Sequence, residues 1–380
     1  MPDRGCRTAA AKCSINANRN SHAAFMRRLT AVLVILSILA LALVFRAELA
    51  LLVMAQGADR AMTTDPLEEL GDGLHLALCG AGAPLPDRVR SGPCVAVVAG
   101  STLVVVDAGA GGGRNLQRMG FLPGRIEALF LTHFHSDHID GLGELAMLRW
   151  TTGSRTRPLP VYGPIGVGSV VEGFNTAYAD DFRYRTAHHG STVAPPQGAG
   201  SEAHAFTPPA RGEGVEVWKA GGLTVTAFLV PHEPATPAVG YRFDYAGRSL
   251  VVSGDTRRSE TVAKFATDVD LLVHEALAPR LVGTLNRAAR NAGRDNIARI
   301  THDILDYHTT PVEAAEIAAA ARVGHLLYYH IVPPLLIPGL EAAFLDGVEG
   351  AYSGPVTLGR DGTLVSLPSG SRDIQVSRRL

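Results

Sequence analysis

Two hydrophobic patterns divide this 380-residue chain. Near the start, Ala31 to Phe45 is an almost unbroken apolar run; Arg27-Arg28 precede it, Arg46 and Glu48 follow, and Leu49 to Ala55 is apolar again. Positive charge ahead of such a run marks a signal sequence or signal anchor. Counted through Ala55 the segment is long enough for a tilted span, so an uncleaved anchor over 30–55 is expected, with a removed signal peptide as the alternative. Residues 1–29 read as a cytoplasmic or mis-called extension, disordered to about residue 25, because Met26 sits where a signal normally begins. Residues 56–72 read as a linker with helical character.

From Leu74 onward, short β-rich runs bounded by turn residues alternate with helical spacings. Strands are expected at 74–79, 94–99, 102–107, 126–131 and 160–162, and helices at about 113–119, 141–150 and 164–178. Residues 180–213, rich in Gly, Pro, His and Ala, read as a long loop over the substrate site. Strands follow at 214–218, 223–231, 238–245 and 249–253, then helix 258–266, strand 270–274, helices 276–290 and 311–321, and strand 325–330. A last helix and a hairpin near 355–367 close a domain over 73–368, and 369–380 reads as a polar tail. Strands followed by a helix occur twice, which fits two β/α halves in an α/β four-layer αββα sandwich.

Composition narrows the partners. With 46% apolar residues, 19% charged residues and a net charge of −1, the chain lacks the basic footprint of a nucleic-acid binder. Cys79 and Cys94 flank a Gly/Pro-rich turn; a disulfide between them and two free thiols are both open. The densest chemistry is Thr132-His-Phe-His-Ser-Asp-His138, directly after the strand-like 126–131 run. One loop there aims three imidazoles and a carboxylate at a point, and these are donors that zinc or iron bind well. His232, Asp255 and His330 each sit at the end of an expected strand. Taken singly, they read as a surface histidine, a helix N-cap and a core histidine. Taken with the loop, they supply the number and type of ligands that a two-metal site needs.

These motifs carry a family resemblance. Asp107 after a strand, Thr-His-Phe-His-Ser-Asp-His-Ile-Asp-Gly (132–141), Pro231-His232, Ser-Gly-Asp-Thr-Arg (253–257), Val-His-Glu-Ala (273–276), His-Thr-Thr-Pro-Val-Glu-Ala-Ala (308–315) and Tyr-His-Ile (329–331) stand in order over about 74–332. The chain resembles the metallo-β-lactamase superfamily of hydrolases, within it the RNase Z and arylsulfatase-like branch. The resemblance implies that His133, His135 and His232 hold one metal ion, that Asp137, His138 and His330 hold a second, and that Asp255 bridges them. Two Zn2+ are implied, with Mn2+ or Fe2+ as alternatives. Asp107 would orient the histidine loop, His274 would lie in the same outer layer, and His308 paired with Glu275 would assist catalysis; Asp137 is also carried as catalytic.

The chemistry of the residues agrees with the resemblance. Paired divalent ions about 3.5–4 Å apart lower the pKa of a shared water toward neutrality. Four positive charges, less Asp137, Asp255 and one hydroxide, leave about one net positive charge, which suits an anionic ester such as a phosphodiester or sulfate ester. His308 is then placed to protonate the leaving alkoxide. His188 and His189, in the expected loop, are candidates for lining the substrate pocket. RNase Z enzymes carry a tRNA-gripping arm between the third metal histidine and the bridging aspartate, whereas His232 and Asp255 are only 23 positions apart. The expected substrate is therefore a small anionic ester, with lactonase and 3′-tRNA endonuclease activities ranked below it. Nucleic acid is not expected as a partner, and a homodimer stays open. Asp255 stands where true β-lactamases carry Cys, and the second histidine of the loop stands where diiron relatives carry Glu. The anchor would hold the domain on the periplasmic side of a bacterial inner membrane, with a secreted periplasmic form as the alternative.

Overall fold

The computed structural model describes residues 6–380. The chain divides after Thr64 into two units. The first is helical: one helix spans Cys6–Val44 and a second spans Arg46–Thr63. The stretch Ala24–Val44, 21 residues with a hydropathy of 2.2, is long and apolar enough to cross a membrane. The apolar span thus begins before the expected residue 30 and ends at Val44, because the helix breaks at Phe45. Leu49 to Ala55 belong to the second helix instead. Of the extension expected to be disordered, residues 1–5 lie outside the described residues and the rest is helical from Cys6. The expected linker continues the second helix to Thr63 and forms a short turn of helix at Pro66–Leu70.

The second unit, Asp65–Leu380, carries two sheets. The first holds β1 (Gly73–Gly80), β2 (Cys94–Ala99), β3 (Thr102–Val106), β4 (Ile126–Phe130), β5 (Leu159–Pro164) and β6 (Ser201–Phe206). The second holds β7 (Gly214–Ala220), β8 (Leu223–Val230), β9 (Ala238–Tyr245), β10 (Arg248–Val252), β11 (Leu271–Leu277), β12 (His325–Val332) and β13 (Val356–Leu358). The chain then returns to the first sheet as β14 (Thr363–Pro368) and β15 (Gln375–Arg378), giving the orders β15-β14-β1-β2-β3-β4-β5-β6 and β13-β12-β11-β10-β9-β8-β7. Part of the expected polar tail is therefore an edge strand.

Strand alternation sorts the side chains into layers. Leu74, Leu76 and Leu78 of β1 join Val95, Val104, Phe130, Val225, Phe243, Leu250 and Val273 in the core between the sheets. The alternate residues Ala77, Val98, Val105 and Leu129 face the helices on one outer side, where Leu116, Leu142 and Leu145 cover them. Val251, Leu272 and Tyr328 do the same on the other side against Val262, Ala314 and Ala318. Helix, sheet, sheet and helix stack as four layers. Of the two states open to Cys79 and Cys94 on sequence grounds, the structure has the disulfide, between adjacent strands.

The expected loop at 180–213 is a loop only at 190–200 and 207–213. One helix runs without a break over Val167–His189, and β6 follows at Ser201–Phe206. Only Val167 and Val171 of that helix are buried, and its outer face carries pairs such as Arg185 to Asp181 at 2.7 Å. So little burial leaves no apolar stripe for sequence periodicity to detect. The helix also holds Phe182, which meets Trp150 edge to face, and Tyr178, which packs on Phe182.

Candidate metal centre

The ligand cluster starts from a carboxylate. Asp107 directly follows β3 with a left-handed backbone (φ 57°), rare for a side chain with a Cβ. Its Oδ1 accepts from the Thr132 amide at 2.8 Å, and its Oδ2 accepts from the Thr132 hydroxyl at 2.9 Å. The same Oδ2 lies 2.8 Å from His138 Nδ1, so the imidazole donates there and turns Nε2 inward. Close backbone packing fixes the far end of the loop: a Cβ on Gly109 would stand 2.5 Å from the Asp137 carbonyl oxygen. His133 Nε2 and His135 Nδ1 thereby come to 2.9 Å.

Three more side chains arrive from the second sheet. His232 follows β8, and its Nδ1 donates to the Tyr307 carbonyl at 2.9 Å, which leaves Nε2 facing in, 3.3 Å from His135 Nδ1. Asp255 follows β10 and is buried. Its Oδ2 is 3.2 Å from His330 Nε2, 3.3 Å from His138 Nε2, 3.8 Å from His133 Nε2 and 3.9 Å from His232 Nε2. His330 sits at a bulge in β12: Tyr329 pairs with Glu275 and Ile331 with Ala276, which skips His330. Its φ of 45° lets the side chain leave the ladder and point at Asp137, with Nε2 3.3 Å from Oδ2.

The donors fall into two groups and a third that overlaps both. One is His133, His135, His232 and Asp255; another is Asp137, His138 and His330; the overlapping set is Asp255, His308 and His330. Within each group the ligand atoms lie within 4.8 Å of one another. His138 Nε2 and Asp255 Oδ1 are buried with no hydrogen-bond partner, a costly state that a cation between them relieves. The nitrogen and oxygen donor set fits divalent zinc, manganese or iron.

Burial pushes the His133 pKa well below the ordinary imidazole value, with the His138 charge adding to the effect, which keeps a lone pair free for a cation. Burial raises Asp255, yet His330, His138 and His133 outweigh it and hold the carboxylate well below its usual range. His138 goes the other way: burial lowers it, but Asp255, Asp107 and Asp137 together carry it well above.

Glu275 and His308 stand beside the cluster. Glu275 is fully buried, and its Oε1 accepts from the Thr309 amide at 2.9 Å and the Thr256 amide at 3.3 Å. Its Oε2 is 3.2 Å from His308 Nδ1, an ionic contact bent away from hydrogen-bond alignment. Burial lowers the His308 pKa, but the Glu275 charge overcomes it and leaves the imidazole above its ordinary value.

The seven expected ligands, Asp107, Glu275 and His308 therefore converge. His274 does not join them: it alternates with Glu275 on β11, and its Nδ1 bonds to the Glu275 carbonyl at 2.7 Å. His188 and His189 end the helix Val167–His189, exposed and packed on each other at 4.7 Å, and do not line the cavity over the cluster. Sequence reading missed Tyr307. Its ring packs on His232 (4.9 Å) and His308 (4.7 Å), besides the carbonyl that orients His232. Its position next to His308 was the only available signal.

An αββα sandwich with a histidine–aspartate cluster at its rim defines a metallo-β-lactamase-type hydrolase, and residues 102–331 match the beta-lactamase superfamily domain. The chain belongs to that superfamily, in the branch that holds ribonuclease Z. A curated ribonuclease Z of Mycobacterium sp. (strain KMS) is 35% identical over 289 residues, 76% of this chain and 94% of that protein. Solved structures of other proteins share the fold. The metallo-beta-lactamase fold protein YhfI from Bacillus subtilis has a TM-score of 0.54 at 20% identity, over 78% of this chain and 100% of that one. The short form of human tRNase Z has a TM-score of 0.51 at 22% identity, over 77% and 99%.

Proposed function

We propose that this protein is a dinuclear zinc-dependent phosphodiester hydrolase. The observation that carries the reading is Asp255 Oδ2, set between the two donor groups next to the buried Glu275–His308 pair. His133, His135 and His232 would hold one ion and Asp137, His138 and His330 the other, with Asp255 touching both. When bound, such a pair supplies an activated water and Lewis-acid stabilisation of charge on an anionic ester. Asp107 keeps His138 Nε2 turned inward. Glu275 holds a proton on His308, which passes it to the departing alkoxide.

Transfer-RNA 3′ processing is the second reading, and the likeness to curated ribonuclease Z favours it. Against it, the chain between His232 and Asp255 contains only β9 and β10, with no room for an arm. The stretch Ala24–Val44 would anchor the protein, with Arg27-Arg28 on the cytoplasmic side and the sandwich in an oxidising compartment. The Cys79–Cys94 disulfide supports that placement.

The test is a substrate screen with metal analysis on the zinc-loaded full chain: bis-p-nitrophenyl phosphate, p-nitrophenyl sulfate, a lactone, nitrocefin and a precursor tRNA. Turnover of the phosphodiester, two ions per chain, and loss of both in Asp255→Ala are expected. Cleavage confined to another substrate, or fewer than two ions, sinks the reading.

A further inference from the structure

The cavity over the cluster is apolar on one side. Its volume is about 370 Å³, and its floor holds His135, Asp137, Asp255, His308 and His330. Leu85, Val332, Tyr307 and three isoleucines, Ile297, Ile300 and Ile304, form the wall. The isoleucines follow helical spacing from the helix Asp295–Asp303 into the turn beyond it. That helix docks along the flank of the stripe, where Thr301 also meets the cavity. Ala298 and Thr301 are buried, and the Asn286 side chain donates to the Ala298 carbonyl and the Thr301 hydroxyl. Arg299 pairs with Asp303 on its outer side.

Ile304 packs against Ala83, Leu277, Val282 and Val332, whereas Ile297 and Ile300 stay exposed and do not hold the helix in place. Ile300 is 59% exposed and Ile297 is 42% exposed, at the mouth of a site whose floor is charged. Single exposed apolar residues are ordinary. Three at helical spacing, turned to one cavity with ligand atoms at its base, are a recognition surface. The surface on the other side of His308 is polar, with Arg211, Arg257 and Arg258 around it. The two sides of the reacting centre thus differ in polarity.

We infer that the substrate is an anionic ester carrying a short alkyl chain or a single aryl ring, which lies along Ile297, Ile300 and Ile304 while its charged group sits on the cluster. This deepens the phosphodiester reading and rests on it. The volume lies at the small end of ligand pockets, roughly 300–1,000 Å³, which suits one short substituent beside the charged group. The three isoleucines offer no hydrogen-bonding edge of the kind that reads a nucleobase.

The experiment is calorimetric titration of the zinc-loaded full chain in nanodiscs with methyl-, propyl- and hexylphosphonate, ligands with no ester bond to cleave. Affinity should rise about fourfold for each buried methylene until the wall is covered. Ile300→Ser should flatten that rise while methylphosphonate binding stays the same, and Ile300→Val should keep most of it. A flat series in the native protein overturns the inference, as does tighter binding of cytidine 3′-phosphate than of hexylphosphonate. A change in sedimentation of Ile300→Ser with an unaltered series also overturns it, by making the face a contact between copies. A flat series alongside turnover of bis-p-nitrophenyl phosphate rejects only the apolar subsite. A steep series without turnover supports the subsite and rejects the phosphodiester reading.

Discussion

Glu275 has no exposed surface, yet it carries a charge-bearing group between two backbone amides and an imidazole. Buried carboxylates persist when their oxygens are satisfied and a positive partner is near. Here the partner is His308, whose raised pKa keeps it protonated where a free imidazole has already lost its proton. As pH rises through that raised value, the proton donor is lost and kcat should fall. Glu275→Gln removes the largest influence that raises the His308 pKa and leaves Asp255 alone against burial and His138, so the pKa falls. The alkaline limb of the kcat profile should move to lower pH, with a loss of roughly tenfold to a hundredfold on its alkaline side. A limb that stays in place in a metal-replete variant removes the pair from the proton transfer. At this scale the sequence was most informative. The loop ligands lie within six residues, and their types name their chemistry before any fold is known.

Whole elements decide whether those residues meet. His308 and Thr309 lead directly into the helix Pro311–Ala320, whose start is a capping box. The Thr310 hydroxyl accepts from the Glu313 amide at 3.2 Å, and the Glu313 carboxylate accepts from the Thr310 amide at 2.9 Å. Thr310→Ala should cost about 1 kcal/mol in chemical unfolding. It should also lower kcat modestly at unchanged metal content, because the turn that presents His308 loosens. The bulge at His330 was not legible. A sequence reader sees a strand ending in a histidine, whereas the strand runs on to Val332 and expels His330 from its ladder. The helix expected at 164–178 runs on to His189, and that continuation was missed for the opposite reason: it buries too little to print a period on the sequence.

At the scale of the molecule, Cys79–Cys94 ties β1 to β2, the strands that carry the middle of the first sheet. The bridge closes a separation of 15 residues. Cys79→Ser should lower unfolding stability by about 2–4 kcal/mol, and reductant should do the same to the native protein but not to the variant. Equal stability of native and variant chains would deny the bridge a structural role. The strand runs, their two-fold recurrence and the ligand types were set by local composition, because a strand in a two-sheet core must alternate or stay apolar and a metal accepts few donors. The tertiary structure decided the rest. It set Asp255 between two groups, it turned Glu275 inward and His274 away, and it left three isoleucines facing the cluster. Each of these depends on the packing of segments far apart in the chain, and local pattern records how much of a residue is covered but not by what.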